Sequence, residues 1–82
     1  MATVKFFGLL RIQTGIAEAK AEGKTLKEVL YDIQRQYPSM TVKELKKKVI
    51  YVNGKDINQL KFFRTKINPN DEITIMSPVS GG

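Results

Sequence analysis

Glu72-Ile73-Thr74-Ile75-Met76 is the stretch that decides the fold of this 82-residue chain. Its alternation of apolar and polar residues predicts a strand with Ile73 and Ile75 facing the interior. Thr3-Val4-Lys5-Phe6-Phe7, near the other end of the chain, is rich in β-branched and aromatic residues and predicts a second strand, which Gly8 ends. These two strands are the most apolar, so we expect them side by side in the centre of a sheet, running parallel because a crossover joins them.

The residues after the first strand predict its hairpin partner. Residues 17–22 alternate small apolar and charged side chains, which is the period of a half-buried strand, and Gly23 closes that strand. We predict that Leu9 to Gly15 is the connection between the two strands.

A long helix and a short one are predicted next. Thr25 and Glu28 have the spacing of a capping box, so the first helix should start at Leu26, and Pro38 should end it. Apolar residues follow at helical spacing and form one stripe: Leu26, Val29, Leu30, Ile33 and Tyr37. A second capping box, Thr41-Val42-Lys43-Glu44, predicts a helical segment of one or two turns.

A second hairpin precedes the final strand. Val49 to Val52 predicts a strand, and Asn53-Gly54 predicts a type I′ turn, in which both central residues have positive φ. Lys55 to Ile57 should return along it, and Leu60 to Lys66 fits either a short strand or a single helical turn. The order of elements predicts an α+β fold in which one main helix covers a mixed sheet, the β-grasp or ubiquitin-like fold.

Composition excludes several classes of function. The chain has no cysteine and no histidine, so disulfides, thiolate or zinc sites and the usual general base are missing, and we expect no metal site, no bound cofactor and no self-contained enzyme. It has no apolar run of the roughly 20 residues that span a bilayer and no signal peptide, so we expect a cytoplasmic protein that does not enter membranes.

The chain ends in Pro78-Val79-Ser80-Gly81-Gly82, which we interpret as a flexible tail, residues 77–82, on a domain of residues 1–76. The α-carboxylate of Gly82 should be ionised at neutral pH, because a free α-carboxyl titrates at about 3.3–3.7. Two glycines without Cβ can enter a slot that no side chain would fit. The alternative is a frayed end with no function.

Several short motifs, taken in order, give the chain a resemblance. They are Phe6-Phe7-Gly8 with Arg11, the Val52-Asn53-Gly54 turn, Asn70-Asp71-Glu72, and the Gly-Gly end. With these motifs the chain resembles the ubiquitin-like sulfur carriers, and most of all the small subunit of molybdopterin synthase (molybdopterin converting factor subunit 1).

The resemblance implies a function for the tail. An adenylating, E1-like enzyme would use ATP to activate the carboxylate of Gly82, and sulfur would convert it to a thiocarboxylate. The large subunit of molybdopterin synthase would then accept the tail and its sulfur. By resemblance the inserted arm is Pro78, Val79, Ser80 and Gly81, and the residues that dock on partners are Phe7, Leu60, Met76 and Arg11. Core packing is the alternative role for Phe7, Leu60 and Met76, and plain solvation is the alternative for Arg11.

Three departures from the molybdopterin pattern leave other pathways open. Ser77 stands where those proteins usually have a proline, and Asn70 stands where they usually have a glycine. The net charge is +6, whereas many of those proteins are acidic. Thiamin-pathway sulfur carriers and ubiquitin-like protein modifiers share the predicted fold and the Gly-Gly end. The charge and the Lys46-Lys47-Lys48 run also fit an RNA-binding module, but no stacking ladder of aromatics is apparent and lysines suit a helix C-terminus, so we do not expect a nucleic acid partner.

Overall fold

A five-stranded mixed sheet forms one layer of the protein in the computed structural model, which describes residues 1–78. The strands are β1 (Ala2–Phe7), β2 (Glu18–Ala21), β3 (Val49–Val52), β4 (Lys55–Asp56) and β5 (Glu72–Met76). They lie in the order β2-β1-β5-β3-β4, with β1 and β5 parallel and the other neighbours antiparallel. The prediction that the first and last strands pair in parallel at the centre is confirmed.

Helices and turns form the second layer and the connections. The helices are α1 (Gly8–Thr14), α2 (Leu26–Gln36) and α3 (Val42–Leu45), and two 3-10 turns follow β4 at Ile57–Gln59 and Phe62–Arg64. Four residues of the predicted stripe of α2 are completely buried, namely Leu26, Val29, Leu30 and Ile33, while Tyr37 is half-buried. The core cluster that contains them also takes the inward residues of the central strands, such as Phe6, Ile73 and Ile75. The predicted α+β β-grasp architecture is confirmed.

The predicted caps begin α2 and α3. The Thr25 hydroxyl accepts a hydrogen bond from the backbone N–H of Glu28 at 3.3 Å, and Thr41 accepts one from the N–H of Glu44 at 3.2 Å. The Glu28 carboxylate accepts from the N–H of Lys24 at 2.9 Å, one residue before the position that a standard capping box would use. Both helices therefore start where the sequence predicts.

The prediction of a connection from Leu9 to Gly15 is wrong, because residues 8–14 form α1. Gly8 turns the chain out of β1 with φ +64°, a conformation that favours glycine. Gly15 ends the helix in the left-handed region at φ 72°, and its N–H donates to the carbonyl of Arg11 at 2.8 Å. Leu10 is the buried residue of this helix, so packing against the core holds it in place.

Helix α2 also covers the free edge of β2. The carboxylate of Asp32 accepts from the outward N–H of Glu22 at 2.9 Å, and the side-chain amide of Gln36 donates to the carbonyl of Lys20 at 2.8 Å. Arg35 and Gln36 also donate to the Asp32 carboxylate. Side chains thus occupy backbone groups through which an edge strand could otherwise pair with another chain.

Asp32 should make the stability of the fold depend on acid pH. The hydrogen bond from the Glu22 N–H, followed by those from Arg35 and Gln36, lowers the pKa of Asp32 below its ordinary value of 3.8 against the opposing effect of burial. Because the pKa is lowered in the folded protein, the ionised carboxylate stabilises the fold fully at pH values above its ordinary pKa. This stabilisation is lost as the pH falls through the lowered pKa. We expect Asp32→Asn to lower the free energy of unfolding at neutral pH but not in strong acid, where Asp32 is protonated. Urea unfolding of both proteins at the two pH values measures this, and an equal difference at both would contradict it.

No helix within residues 1–78 is both long enough and apolar enough to cross a membrane.

Strand β5 ends at Met76, and the division into a domain of residues 1–76 and a tail of residues 77–82 stays a prediction.

Candidate functional site

The base of the predicted tail lies in the middle of the sheet. Strand β5 is held on one side by β1 and on the other by β3, and its last residue, Met76, has Phe7 and Val49 as its two strand neighbours. Residues 77 and 78 follow directly, and Pro78 is exposed. The tail therefore begins at the end of a strand that is paired with a neighbour on each side.

Phe7 and Met76 lie on the face of the sheet opposite α2. Side chains alternate along a strand, and Phe6 is 1% exposed beneath α2 whereas Phe7 is 42% exposed. Met76 and Val49 are half-buried in the same row. The structure thus brings two predicted docking residues, Phe7 and Met76, together. The exposure of Phe7 shows that its ring is not part of the core.

Helix α1 adds apolar side chains at this end of the sheet. It packs against both β1 and β5, and two of its residues point to solvent, Leu9 at 55% exposed and Ile12 at 77%. We call Phe7, Leu9, Ile12 and Met76 the apolar rim. Leu9 and Ile12 are not among the docking residues predicted from the sequence, although their i, i+3 spacing between two glycines was an available signal.

The other predicted docking residues differ from each other. Arg11 is exposed on α1, next in sequence to the rim residue Ile12. Leu60 follows the first 3-10 turn and packs partly against the core, and β3 separates its neighbouring edge strand β4 from β5. Leu60 itself lies in no strand and has no strand pairing with Met76. The predicted carrier residue Gly82 and the arm residues Val79, Ser80 and Gly81 lie outside the described residues.

A side-chain clamp fixes the start of β5. Asn53 has φ 51° and Gly54 has φ 82°, which confirms the predicted type I′ turn. The Asn53 amide donates to the Asp71 carboxylate at 2.9 Å, and its oxygen accepts from the N–H of Glu72 at 2.9 Å. Asp71 also accepts from the N–H of Asn68 at 2.7 Å. The β3–β4 turn is thereby tied to the residues that lead into the strand carrying the tail.

We expect Asn53→Ala to destabilise the protein by about 1–3 kcal/mol, because it removes both bonds and forces alanine into a left-handed conformation. Asn53→Gly is the matched control, since glycine keeps the conformation and loses only the bonds. Thermal unfolding of the two variants separates the two contributions. Wild-type stability in Asn53→Gly would mean that the hydrogen bonds contribute nothing.

Comparison with known proteins gives this geometry a family. The model of the ThiS family matches residues 4–82. This range includes the Gly-Gly end and all of the sheet apart from its first two residues. The chain belongs to the ThiS family. The resemblance to ubiquitin-like sulfur carriers is therefore confirmed, and proteins of the ThiS family are small carriers that are generally not catalysts.

Solved structures similar to this ThiS-family chain agree on the fold. Small archaeal modifier protein 1 (SAMP1) from Methanosarcina acetivorans is 29% identical with a TM-score of 0.83, over 99% of this chain and 95% of that one. CysO from Mycobacterium tuberculosis, described as an antigen, is 28% identical with a TM-score of 0.83, over 96% of this chain and all (100%) of that one.

One similar structure holds a partner protein. The crystal structure of the BexX/CysO complex from Amycolatopsis orientalis matches with 28% identity and a TM-score of 0.79, over 100% of both chains. None of the curated proteins matches this ThiS-family chain.

Proposed function

We propose that this protein carries sulfur as a thiocarboxylate on Gly82 and delivers it as the small subunit of molybdopterin synthase. The observation that carries the proposal is the match to the ThiS family through residue 82, on a fold whose last strand lies in the centre of the sheet. The central strand gives the tail a rigid base beside the exposed apolar rim.

The chemistry takes place at one carboxylate. An E1-like adenylating enzyme lets an oxygen of the Gly82 carboxylate attack the α-phosphorus of ATP, so that pyrophosphate leaves and an acyl-adenylate forms. A sulfide-level sulfur nucleophile then attacks the acyl carbon, and AMP leaves with the electron pair of the broken C–O bond. The product is a thiocarboxylate, which is itself a nucleophile through sulfur.

The composition of the chain supports a carrier that works at its end. The sequence contains no cysteine, so no side-chain thiolate can hold the sulfur. The terminal carboxylate becomes a sulfur site only after activation by a partner, and ATP is used by that partner. The apolar rim is an exposed surface on which Phe7 and Met76 keep the role in docking to partners that the resemblance implies, and Arg11 is exposed on the same helix as Leu9 and Ile12.

The acceptor is proposed from the motifs that the chain shares with the molybdopterin proteins. The large synthase subunit would receive the tail and use its sulfur to build the dithiolene of the pterin. A second candidate is a protein modifier that joins Gly82 to lysines of target proteins, and the likeness to SAMP1, a modifier by its name, favours it.

Mass spectrometry tests the carrier function directly. The protein is incubated with ATP, a sulfide donor and adenylating enzymes from its own organism, and the expected result is a gain equal to the difference between sulfur and oxygen. Failure to gain this mass with any of these enzymes would refute the carrier function.

A second assay separates the candidate acceptors. The thiocarboxylated protein, mixed with the large synthase subunit and the pterin precursor, should lose its sulfur to the pterin. Retention of the sulfur there, together with a ladder of Gly82-dependent adducts in cell extract, would favour the modifier instead.

A further inference from the structure

The positive charge of the chain is concentrated in one segment. Residues 43–66 contain eight lysines and arginines and two acidic residues, Glu44 and Asp56, which gives this segment a net charge of +6. The whole chain also has a net charge of +6, so all other residues together carry six charges of each sign and are neutral. An asymmetry of this kind produces a local positive field rather than a uniform one.

The fold brings two parts of that segment together. The Nζ atom of Lys46, at the end of α3, lies 5.2 Å from the centre of the Phe63 ring in the second 3-10 turn. Lys61 and Arg64 line an open hollow together with Phe62 and Phe63. We call the exposed cations here the basic surface: Lys43, Lys46, Lys47, Lys61 and Arg64.

Phe62 stands out within this basic surface. Its φ of +53° is in the left-handed region, which a bulky side chain rarely adopts, and its side chain is 50% exposed. Burial of the ring does not account for the unfavourable backbone, and such outliers cluster at binding sites. An exposed aromatic side chain is also typical of the centre of a protein interface, where aromatic residues are enriched, whereas charged side chains such as lysine belong to its polar rim.

One end of the basic surface, at Lys46 and Lys47, is close in sequence to the strand that pairs with the end of β5. The run Lys46-Lys47-Lys48 leads directly into Val49, and Val49 is the strand neighbour of Met76, the last residue of β5. A protein that takes hold of residues 77–82 therefore comes close to this lysine run, through which it can reach the basic surface.

We propose that the enzyme that activates Gly82 docks through an acidic surface on this basic surface, with Phe62 as its apolar anchor. The inference rests on the proposed function and names the chemistry of its first partner. A protein fits better than RNA, because Lys46 already covers the Phe63 ring and leaves Phe62 as the exposed ring of the surface, whereas single-stranded RNA is bound by successive stacking rings. Complementary charges on two partners speed their association, and this effect weakens when salt screens the attraction.

Steady-state thiocarboxylation with the adenylating enzyme that modifies the wild-type protein tests this docking. The double variant Lys47→Gln/Lys61→Gln removes one cation from each part of the surface and leaves the Lys46–Phe63 contact intact. Its control, Lys20→Gln/Lys24→Gln, removes the same charge outside residues 43–66. At about 0.02 M salt we expect the KM for the carrier to rise about tenfold in the first variant and less than about twofold in the control, with kcat unchanged. At about 0.5 M salt this difference should largely vanish.

Phe62→Gly tests the anchor without harming the fold. Glycine adopts the left-handed conformation freely, so the Tm should not fall, while the KM should rise severalfold. Tyr31→Ala is its control, because Tyr31 is also 50% exposed and should leave the KM unchanged.

The outcomes are distinguishable. Thiocarboxylation with the same KM in both lysine variants at low salt would overturn the docking and keep the proposed function. No thiocarboxylation of the wild-type protein would refute the proposed function and the docking with it. Binding of a labelled single-stranded RNA that only Lys47→Gln/Lys61→Gln loses, with an unchanged KM, would assign the surface to nucleic acid and overturn the proposal.

Discussion

Removing Gly81 and Gly82 is expected to abolish thiocarboxylation completely while leaving the fold intact. The buried hydrophobic residues within residues 1–78 all lie between Ala2 and Ile75, so we expect the free energy of unfolding to stay within about 0.5 kcal/mol of wild type. The shortened chain still ends in a carboxylate, that of Ser80, but this group would lie two residues short of the enzyme's reacting atoms. Mass spectrometry after incubation with the activating enzyme and ATP should detect no gain of sulfur.

Two further variants sharpen this prediction. Gly82→Ala keeps the length and the carboxylate but adds one methyl group. Because one such group in a fitted slot is worth about 10–200-fold, we expect the rate of thiocarboxylation to fall by about that factor. Ser80→Ala changes a side chain without blocking the glycines, and should react within a few-fold of wild type. Normal thiocarboxylation of the protein that lacks both glycines would show that Gly82 is not the reacting residue.

Phe6→Ala is expected to have the largest effect on stability, about 3–5 kcal/mol. Phe6 is 1% exposed on the central strand β1 and belongs to the same core cluster as Leu30 and Ile75. Its truncation removes the transfer free energy of the ring and leaves a cavity that the sheet and α2 cannot fill by collapsing. Because small domains are stable by only about 5–15 kcal/mol, this is a large part of the total.

Phe7→Ala is the matched control for Phe6→Ala. The two phenylalanines are adjacent on β1, but Phe7 is 42% exposed, so its truncation should cost less than about 1.5 kcal/mol. Denaturant unfolding of both variants, with equal m-values, gives the comparison. Equal losses of stability would mean that the two rings are buried to a similar extent, contrary to the structure.

The sequence predicted best what local chemistry controls. The alternation in Glu72–Met76 identified Ile73 and Ile75 as core residues, and Thr25 and Asn53 marked a helix start and a turn, because each signal depends on a few neighbouring residues. Helix α1 was missed because two of its apolar residues, Leu9 and Ile12, face solvent, which spoils the amphipathic pattern by which helices are found. Its ends are set by the backbone of two glycines and its position by the burial of Leu10.

The candidate site was predictable only in part. The chain end predicts Gly82 without any structure, and this prediction lies outside the described residues. The sequence left core packing open for Phe7, and the exposure of its ring became evident only in the fold. Leu60 packs partly against the core through contacts that are distant in sequence, which one stretch of sequence does not contain. Likewise, the Lys46 run was visible, but its contact with Phe63 joins residues that are 17 apart in sequence and became evident only in the fold.

The parallel pairing of β1 and β5 has a mechanical consequence. Five residue pairs, from Thr3 with Glu72 to Phe7 with Met76, join the two strands. A force that draws the N-terminus and the tail apart pulls these strands in opposite directions along their length, so it loads their hydrogen bonds in shear and all at once. The bonds cannot be peeled apart singly, as they can when a hairpin is opened from its end. A partner that pulls on the tail therefore meets a stiff body, and the load falls on the strand that the tail extends.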